Sequence, residues 1–122
     1  MKTKKKLPKL STLRNKADRL LQQRYTQGAC EMCGREATVC HHIASKTSSS
    51  ALRYEPLNLC VCCVGCHLKF HSMFAPEMIA RLTLKRGQAW FDELQKARHI
   101  IIKVDRKYYE SIIEELNGKN KL

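Results

Sequence analysis

No hydrophobic run in this 122-residue chain approaches the roughly 20 residues needed to cross a bilayer. No membrane span is therefore expected. With no apolar segment behind the basic N-terminus, a secretory leader is not expected either. Internal repeats are missing, and the length leaves room for one domain and little more. Acidic residues are scarce: 11 Asp and Glu stand against 23 Lys and Arg, a net charge of +12 with His neutral. That imbalance points to a polyanionic partner. The excess is concentrated, because residues 1–24 hold nine Lys and Arg against one acid, Asp18, a net +8. Phosphate neutralisation with counterion release is the commonest use of such a run. Nucleic-acid contact through Lys4, Lys5, Lys6 and Arg14 is expected, and a solvated tail that only aids solubility is the plainer alternative. Charge alone separates neither DNA from RNA nor either from an anionic membrane.

Cysteine, by contrast, is abundant: Cys30, Cys33, Cys40, Cys60, Cys62, Cys63 and Cys66. An odd number without a leader argues against a disulfide framework and for a reducing compartment. Cys30-x-x-Cys33 and Cys63-x-x-Cys66 each let two thiolates approach one tetrahedral ion from a tight turn, so a structural Zn²⁺ on these four is expected. Gly34 supplies the first turn. Cys60 and Cys63 share the same spacing, which leaves the second pair ambiguous. Cys63 with Cys66 is preferred, because Cys66 falls where a helix should begin and Gly65 eases the turn. Cys40, Cys60 and Cys62 then read as core thiols. The 29 residues between the pairs exceed the usual ribbon spacing, so something is inserted there.

The local pattern predicts a small α+β domain. Residues 1–10 read as a basic flexible tail and 11–122 as one domain, with a core over 28–74 and a helical extension over 75–118. Ser11 can cap a helix over 12–25, with Leu13, Ala17, Leu20 and Leu21 as its apolar stripe. A strand is expected from Ala37 to Ile43, a Ser/Thr/Lys loop from Ser45 to Ser50, a turn at Pro56 and a returning strand from Leu57 to Val61. Helices follow from Val64 to Phe74, from Pro76 to Gly87 and from Gln88 to Arg98. Residues 99–104 form a short strand or a connector. Asp105 can cap a last helix that Gly118 ends. Trp90, Phe91, Leu94, Tyr108, Tyr109, Ile112 and Ile113 recur at core-facing spacing, with base-stacking platforms as the alternative.

Four of the five histidines gather in one 31-residue window, 41–71, beside the cysteine pairs. His41 and His42 are adjacent on a predicted strand, so they face different groups. His67 and His71 are four apart on a predicted helix, so both imidazoles lie on one face and can share an ion. A single histidine is most often a satisfied core or surface residue. Four gathered beside two cysteine pairs are not well explained that way.

The pattern Cys30-x-x-Cys33, His41-His42-Ile43, Asn58, Cys63-x-x-Cys66-His67 and His71 resembles the HNH nucleases with a zinc-stabilised ββα-metal motif. Its histidine order is also similar to that of the bacterial colicin DNases. The resemblance covers about residues 28–74. It implies a hairpin carrying His41, His42 and Asn58 against a helix carrying His67 and His71. It further implies a catalytic divalent metal (Mg²⁺, Mn²⁺, Ni²⁺ or Zn²⁺) on His41, His67 and His71, with His42 as general base. Asn58 would orient His42 or brace the hairpin loop, and the cysteines would hold a separate zinc. The implied activity is DNA phosphodiester hydrolysis leaving 5′-phosphate and 3′-hydroxyl ends. Lys46 and Arg53 are candidates for gripping the scissile phosphate or are plain surface charge. The basic first helix and Leu52-Arg53-Tyr54 also resemble small phage HNH proteins of the NinG type, which implies a phage or prophage origin and a cytoplasmic location. Two other classes compete: a non-catalytic zinc-dependent nucleic-acid-binding module, which needs only the cysteines and the charge, and a thiol-based redox or sensing protein.

Overall fold

The structure, a computed structural model, describes residues 6–119. Among them, five α-helices and one two-stranded antiparallel sheet follow in the order α1 (Leu10–Tyr25), β1 (Val39–His42), β2 (Leu59–Cys62), α2 (Val64–Phe70), α3 (Ala75–Arg86), α4 (Gln88–Arg98) and α5 (Arg106–Lys119). The chain is thus a small α+β protein. Lys4 and Lys5, and with them half of the expected basic tail, lie outside the described residues; Lys6 is exposed. No helix among the described residues is long and apolar enough to cross a membrane.

The hairpin is the hub. β1 pairs with β2 in the register His41↔Cys60 and His42↔Leu59. The outer edge of β1 is covered from α1, where Gln22 accepts from the Cys40 backbone N–H at 2.9 Å and donates to its carbonyl at 3.0 Å. An amide side chain thereby does what a third strand would do, satisfying both backbone groups of one residue. A single 3₁₀ turn, Pro56–Asn58, leads into β2.

Two apolar clusters flank the hairpin. One gathers Leu52, Phe70, Met78, Leu82, Trp90 and Leu94 around the zinc-type cysteines. The other packs Leu13, Ala17 and Leu21 of α1 against Tyr109, Ile113 and Leu116 of α5, with Cys40, Tyr54 and Leu59 beneath. Trp90, Leu94, Tyr109 and Ile113 are therefore core residues, while Phe91, Tyr108 and Ile112 pack half-buried at the margins. Ala17 is fully buried at this α1 interface. Cys40, Cys60 and Cys62 are buried within these clusters, as expected of core thiols. Burial, then the neighbouring Cys60, pushes the Cys40 thiol up to about 12, which keeps it protonated and inert.

Several boundaries differ from the sequence expectation. α1 starts at Leu10, because Thr12 and Leu13 both donate to the Lys9 carbonyl; Ser11 lies inside the helix and caps nothing. The strands are shorter, Val39–His42 and Leu59–Cys62. α2 stops at Phe70 instead of Phe74, leaving His71 as its C-terminal cap residue. Residues 99–104 are a connector with no strand. Asp105 does cap α5, its Oδ1 accepting from the Tyr108 N–H at 2.9 Å, but Gly118 does not end that helix, which continues to Lys119.

Candidate functional site

The first cluster is built by two tight turns. In the Cys30–Cys33 turn, Gly34 adopts φ +82°, a conformation that side-chain-bearing residues rarely take, and its N–H donates to the Cys30 carbonyl at 2.9 Å. Cys63 caps α2, its sulfur accepting from the Cys66 N–H at 3.4 Å. These turns bring the sulfurs of Cys30, Cys33, Cys63 and Cys66 within 4.8 Å of one another, and Cys33 and Cys63 Sγ are 3.5 Å apart. A Zn–S length of about 2.3 Å puts tetrahedral sulfurs about 3.8 Å apart. The four cysteines therefore fit a zinc ion, and Cys63 with Cys66, not Cys60, completes the set. Burial disfavours a Cys30 thiolate, but backbone N–H groups from Cys63, Cys33 and Met32 outweigh it and bring the thiol down to about 6. One thiolate is thus favoured even before a metal binds. The turn is tied down from α3: Arg86 donates from Nε and Nη2 to the Glu31 carboxylate at 2.6 and 2.5 Å and reaches the Leu59 carbonyl at 2.7 Å. Its guanidinium also lies over the Trp90 ring at 4.9 Å.

The second cluster lies across the hairpin. His41 on β1 meets His67 from α2 and His71 at its C-terminal cap, and one ring nitrogen of each falls within the same 4.8 Å limit. The Nε2 atoms of His67 and His71 are 3.1 Å apart. Two nitrogens bound tetrahedrally to one first-row divalent ion sit about 3.4 Å apart, so the donor set fits an ion with three nitrogen ligands. Phe70 stacks on His41, centroids 4.4 Å apart and planes 20° off parallel, which fixes that imidazole's plane. Burial first, then the neighbouring histidines, holds the His41 pKa down to about 3. Burial, with His71, also lowers that of His67. Both rings are neutral near pH 7, the form that ligates metal.

His42 engages a different group. Its Nε2 lies 2.7 Å from the Arg53 carbonyl oxygen. A carbonyl only accepts, so this nitrogen carries the proton and Nδ1 keeps its lone pair. Burial lowers the His42 pKa and the carbonyl bond raises it, with Lys46 and Arg53 lowering it further; the net direction is down. His41, His42, His67 and His71 line one cleft of about 590 Å³, with Lys46 at its rim.

Asn58 is fully buried and contacts the loop. It accepts from the Ala44 N–H at 2.7 Å and donates to the Ala44 and Leu52 carbonyls at 3.0 and 3.1 Å. Of the two expected roles, the loop brace is the one these bonds perform. Arg53 departs from its expected position as a free phosphate ligand, because Nε and Nη2 donate to Asp18 at 3.0 and 2.6 Å. Tyr54 adds its hydroxyl to the same carboxylate at 2.8 Å. Burial of Asp18 alone would raise its pKa, and these partners reverse the sign. Arg14 is half-buried on α1, and Lys46 is exposed in the loop. Residues that sequence reasoning passed over include Asp18, Gln22, Phe70 and Arg86. Asp18 carried a signal as the lone acid in a basic segment, and the others carried none.

Comparison with protein-family models, curated proteins and solved structures finds no match for this chain. The fold and clusters define its class only this far: a small α+β protein with a cysteine cluster that fits zinc and a separate three-histidine cluster.

Proposed function

We propose that this protein is a metal-dependent DNA endonuclease of the HNH type. The observation that carries the proposal is a juxtaposition in one cleft. Three histidine nitrogens converge on a point, and a fourth histidine beside them is held through Nε2 with Nδ1 left basic. A structural zinc site would hold the start of α2, which carries His67 and has His71 as its C-terminal cap residue. Cys30, Cys33, Cys63 and Cys66 would hold that zinc, and His41, His67 and His71 the second ion.

His42 takes a proton from water at Nδ1 as the water oxygen bonds phosphorus and the P–O3′ bond breaks. The 3′ oxygen leaves and is protonated from solvent, giving 5′-phosphate and 3′-hydroxyl ends. A divalent ion on the three histidines (Mg²⁺, Mn²⁺, Ni²⁺ or Zn²⁺) supplies charge neutralisation at the phosphoryl group and the leaving oxygen. Lys46 at the cleft and the exposed Lys16 and Arg19 of α1 draw in the polyanion.

Supercoiled plasmid incubated with each of these ions provides the test. The wild type is expected to nick or linearise it, and His42→Ala to lose roughly 10²–10⁴-fold in rate while still binding DNA. Circular dichroism checks that the variant folds. Undiminished cleavage by folded His42→Ala would remove the general base from the proposal. The competing zinc-dependent binding module rests on the cysteine cluster and the charge alone. It predicts one tightly held ion and an intact plasmid with every metal.

A further inference from the structure

A second pocket, of about 240 Å³, opens beside the histidine cleft. Arg14 of α1, Lys46 and Arg53 of the hairpin loop, and Tyr108 at the start of α5 form its walls. Lys46 and Thr47 line both cavities, so the two adjoin at the loop. The charge in the pocket is unevenly committed. Arg53 is held by Asp18 in a bidentate pair. Arg14 and Lys46 form no ion pair among the described residues. Arg14 and Lys46 thus face a small cavity whose neighbouring aspartates are already engaged, Asp18 by Arg53 and Tyr54 and Asp105 by the Tyr108 N–H and Lys103. Opposite them, Tyr108 is half-buried, its ring centred 6.0 Å from Tyr54 and 5.5 Å from Tyr109, so three packed tyrosines give that wall a fixed aromatic surface.

We infer that this pocket is a nucleotide subsite, taking the phosphate and part of the sugar or base next to the phosphodiester held in the histidine cleft. The inference rests on the nuclease proposal and extends it to α5. Arg14 and Lys46 supply charge-assisted donors to the phosphate. Tyr108 supplies an apolar, sequence-tolerant surface for the rest of the nucleotide, as aromatic walls do in single-strand channels. The cavity is too small for a duplex groove and suited to one residue of a strand. The shared Lys46 wall makes that residue the neighbour of the one at the cleft.

Oligothymidylates of two to six nucleotides, competed against a fluorescent single strand, test this in the zinc-loaded protein. The wild-type affinity is expected to rise by about tenfold at one added nucleotide, the worth of a charge-assisted hydrogen bond. Arg14→Gln should erase that step and leave the shorter oligomers unchanged. It should also reduce the slope of log K against log salt by about 1. Lys46→Gln, at the wall shared with the histidine cleft, is the second variant and should weaken this step and the shorter oligomers with it. Affinity that climbs smoothly with length in the wild type, or an Arg14→Gln loss equal at every length, overturns the subsite. Because binding is the readout, the two proposals fail separately. A step with an uncut plasmid leaves a binding pocket without the nuclease. Cleavage that depends on His42 without a step leaves the nuclease without the subsite.

Discussion

The Nε2 atom of His42 lies 2.7 Å from the backbone carbonyl oxygen of Arg53. The same Arg53 is anchored through its guanidinium to Asp18 on α1. The orientation of the proposed base therefore depends on a carboxylate in another element, two contacts away. Arg53 and Asp18 are about four-fifths shielded from solvent, so the pair is neither a fully exposed bridge nor a fully buried one. Asp18→Asn removes the charge but keeps an amide oxygen for one donor. It is expected to cost about 1–3 kcal/mol in urea unfolding. The carbonyl carrying His42 is then less well fixed, so kcat should fall severalfold with KM little changed. A stability loss with unaltered kcat would show that Asp18 holds the loop but not the base.

Asn58 and Ala44 give a second prediction. The Asn58 amide both accepts from the Ala44 N–H and donates to the Ala44 carbonyl, closing the hairpin loop from within. Its side chain is fully buried. Asn58→Ala strands those backbone groups without partners, and each buried unsatisfied group costs about 1–3 kcal/mol. A total loss near 3 kcal/mol is expected by chemical denaturation. Asn58→Asp, isosteric but without the two N–H donors, should be no better. Recovery of full stability in Asn58→Asp would mean that the accepted Ala44 bond alone matters.

Zinc is expected to be part of folding, since the four-sulfur site exists only in the folded chain, so that metal binding contributes to folding, and one of its cysteines caps α2. Chelation at neutral pH should release one tightly held ion and lower the melting temperature sharply, with re-addition of Zn²⁺ restoring it. Cys33, the exposed member, tests the assignment with least disturbance of the core. Cys33→Ser should weaken zinc retention strongly. Cys60→Ala, in a core thiol outside the set, should retain the ion and lose only packing. Equal zinc loss from both variants would reopen the choice of ligands.

Much of this architecture is legible in the sequence, for a definable reason. Cys-x-x-Cys turns, histidines four apart and the helical stripe of α1 are local patterns, and local spacing fixes local geometry. His71 shows the limit of that logic. It sits one residue past the end of α2 yet still meets His67, because a cap residue with φ −99° and ψ 10° continues the turn. What spacing cannot reveal is partnership across the chain. Asp18 meets Arg53 and Tyr54 at separations of 35 and 36, and Arg86 meets Glu31 at 55. These pairs form only once α1 and α3 dock on the hairpin. Arg53, taken by itself, looks like a loop cation free for phosphate. Only the tertiary fold reveals that its side chain serves Asp18 and its carbonyl serves His42.

The histidine cluster should make the protein acid-sensitive. His41 is buried, and its pKa lies near 3, held down first by burial and then by His67, His71 and His42. In the unfolded chain a histidine titrates near 6.5. Below about pH 6.5 the unfolded state therefore binds a proton that the folded state does not, so folding stability falls as pH falls. The loss from His41 alone approaches about 1.4 kcal/mol per pH unit and continues down to the native pKa. His42 and His67, also shifted down, and the cysteine cluster with its proposed zinc add to the wild-type profile. His41→Phe separates the His41 share, because it fills the space beside Phe70 without a titrating group. Urea unfolding between pH 5 and 7.5 should give a shallower decline for His41→Phe than for the wild type. Parallel curves would mean that groups other than His41 set the acid limit.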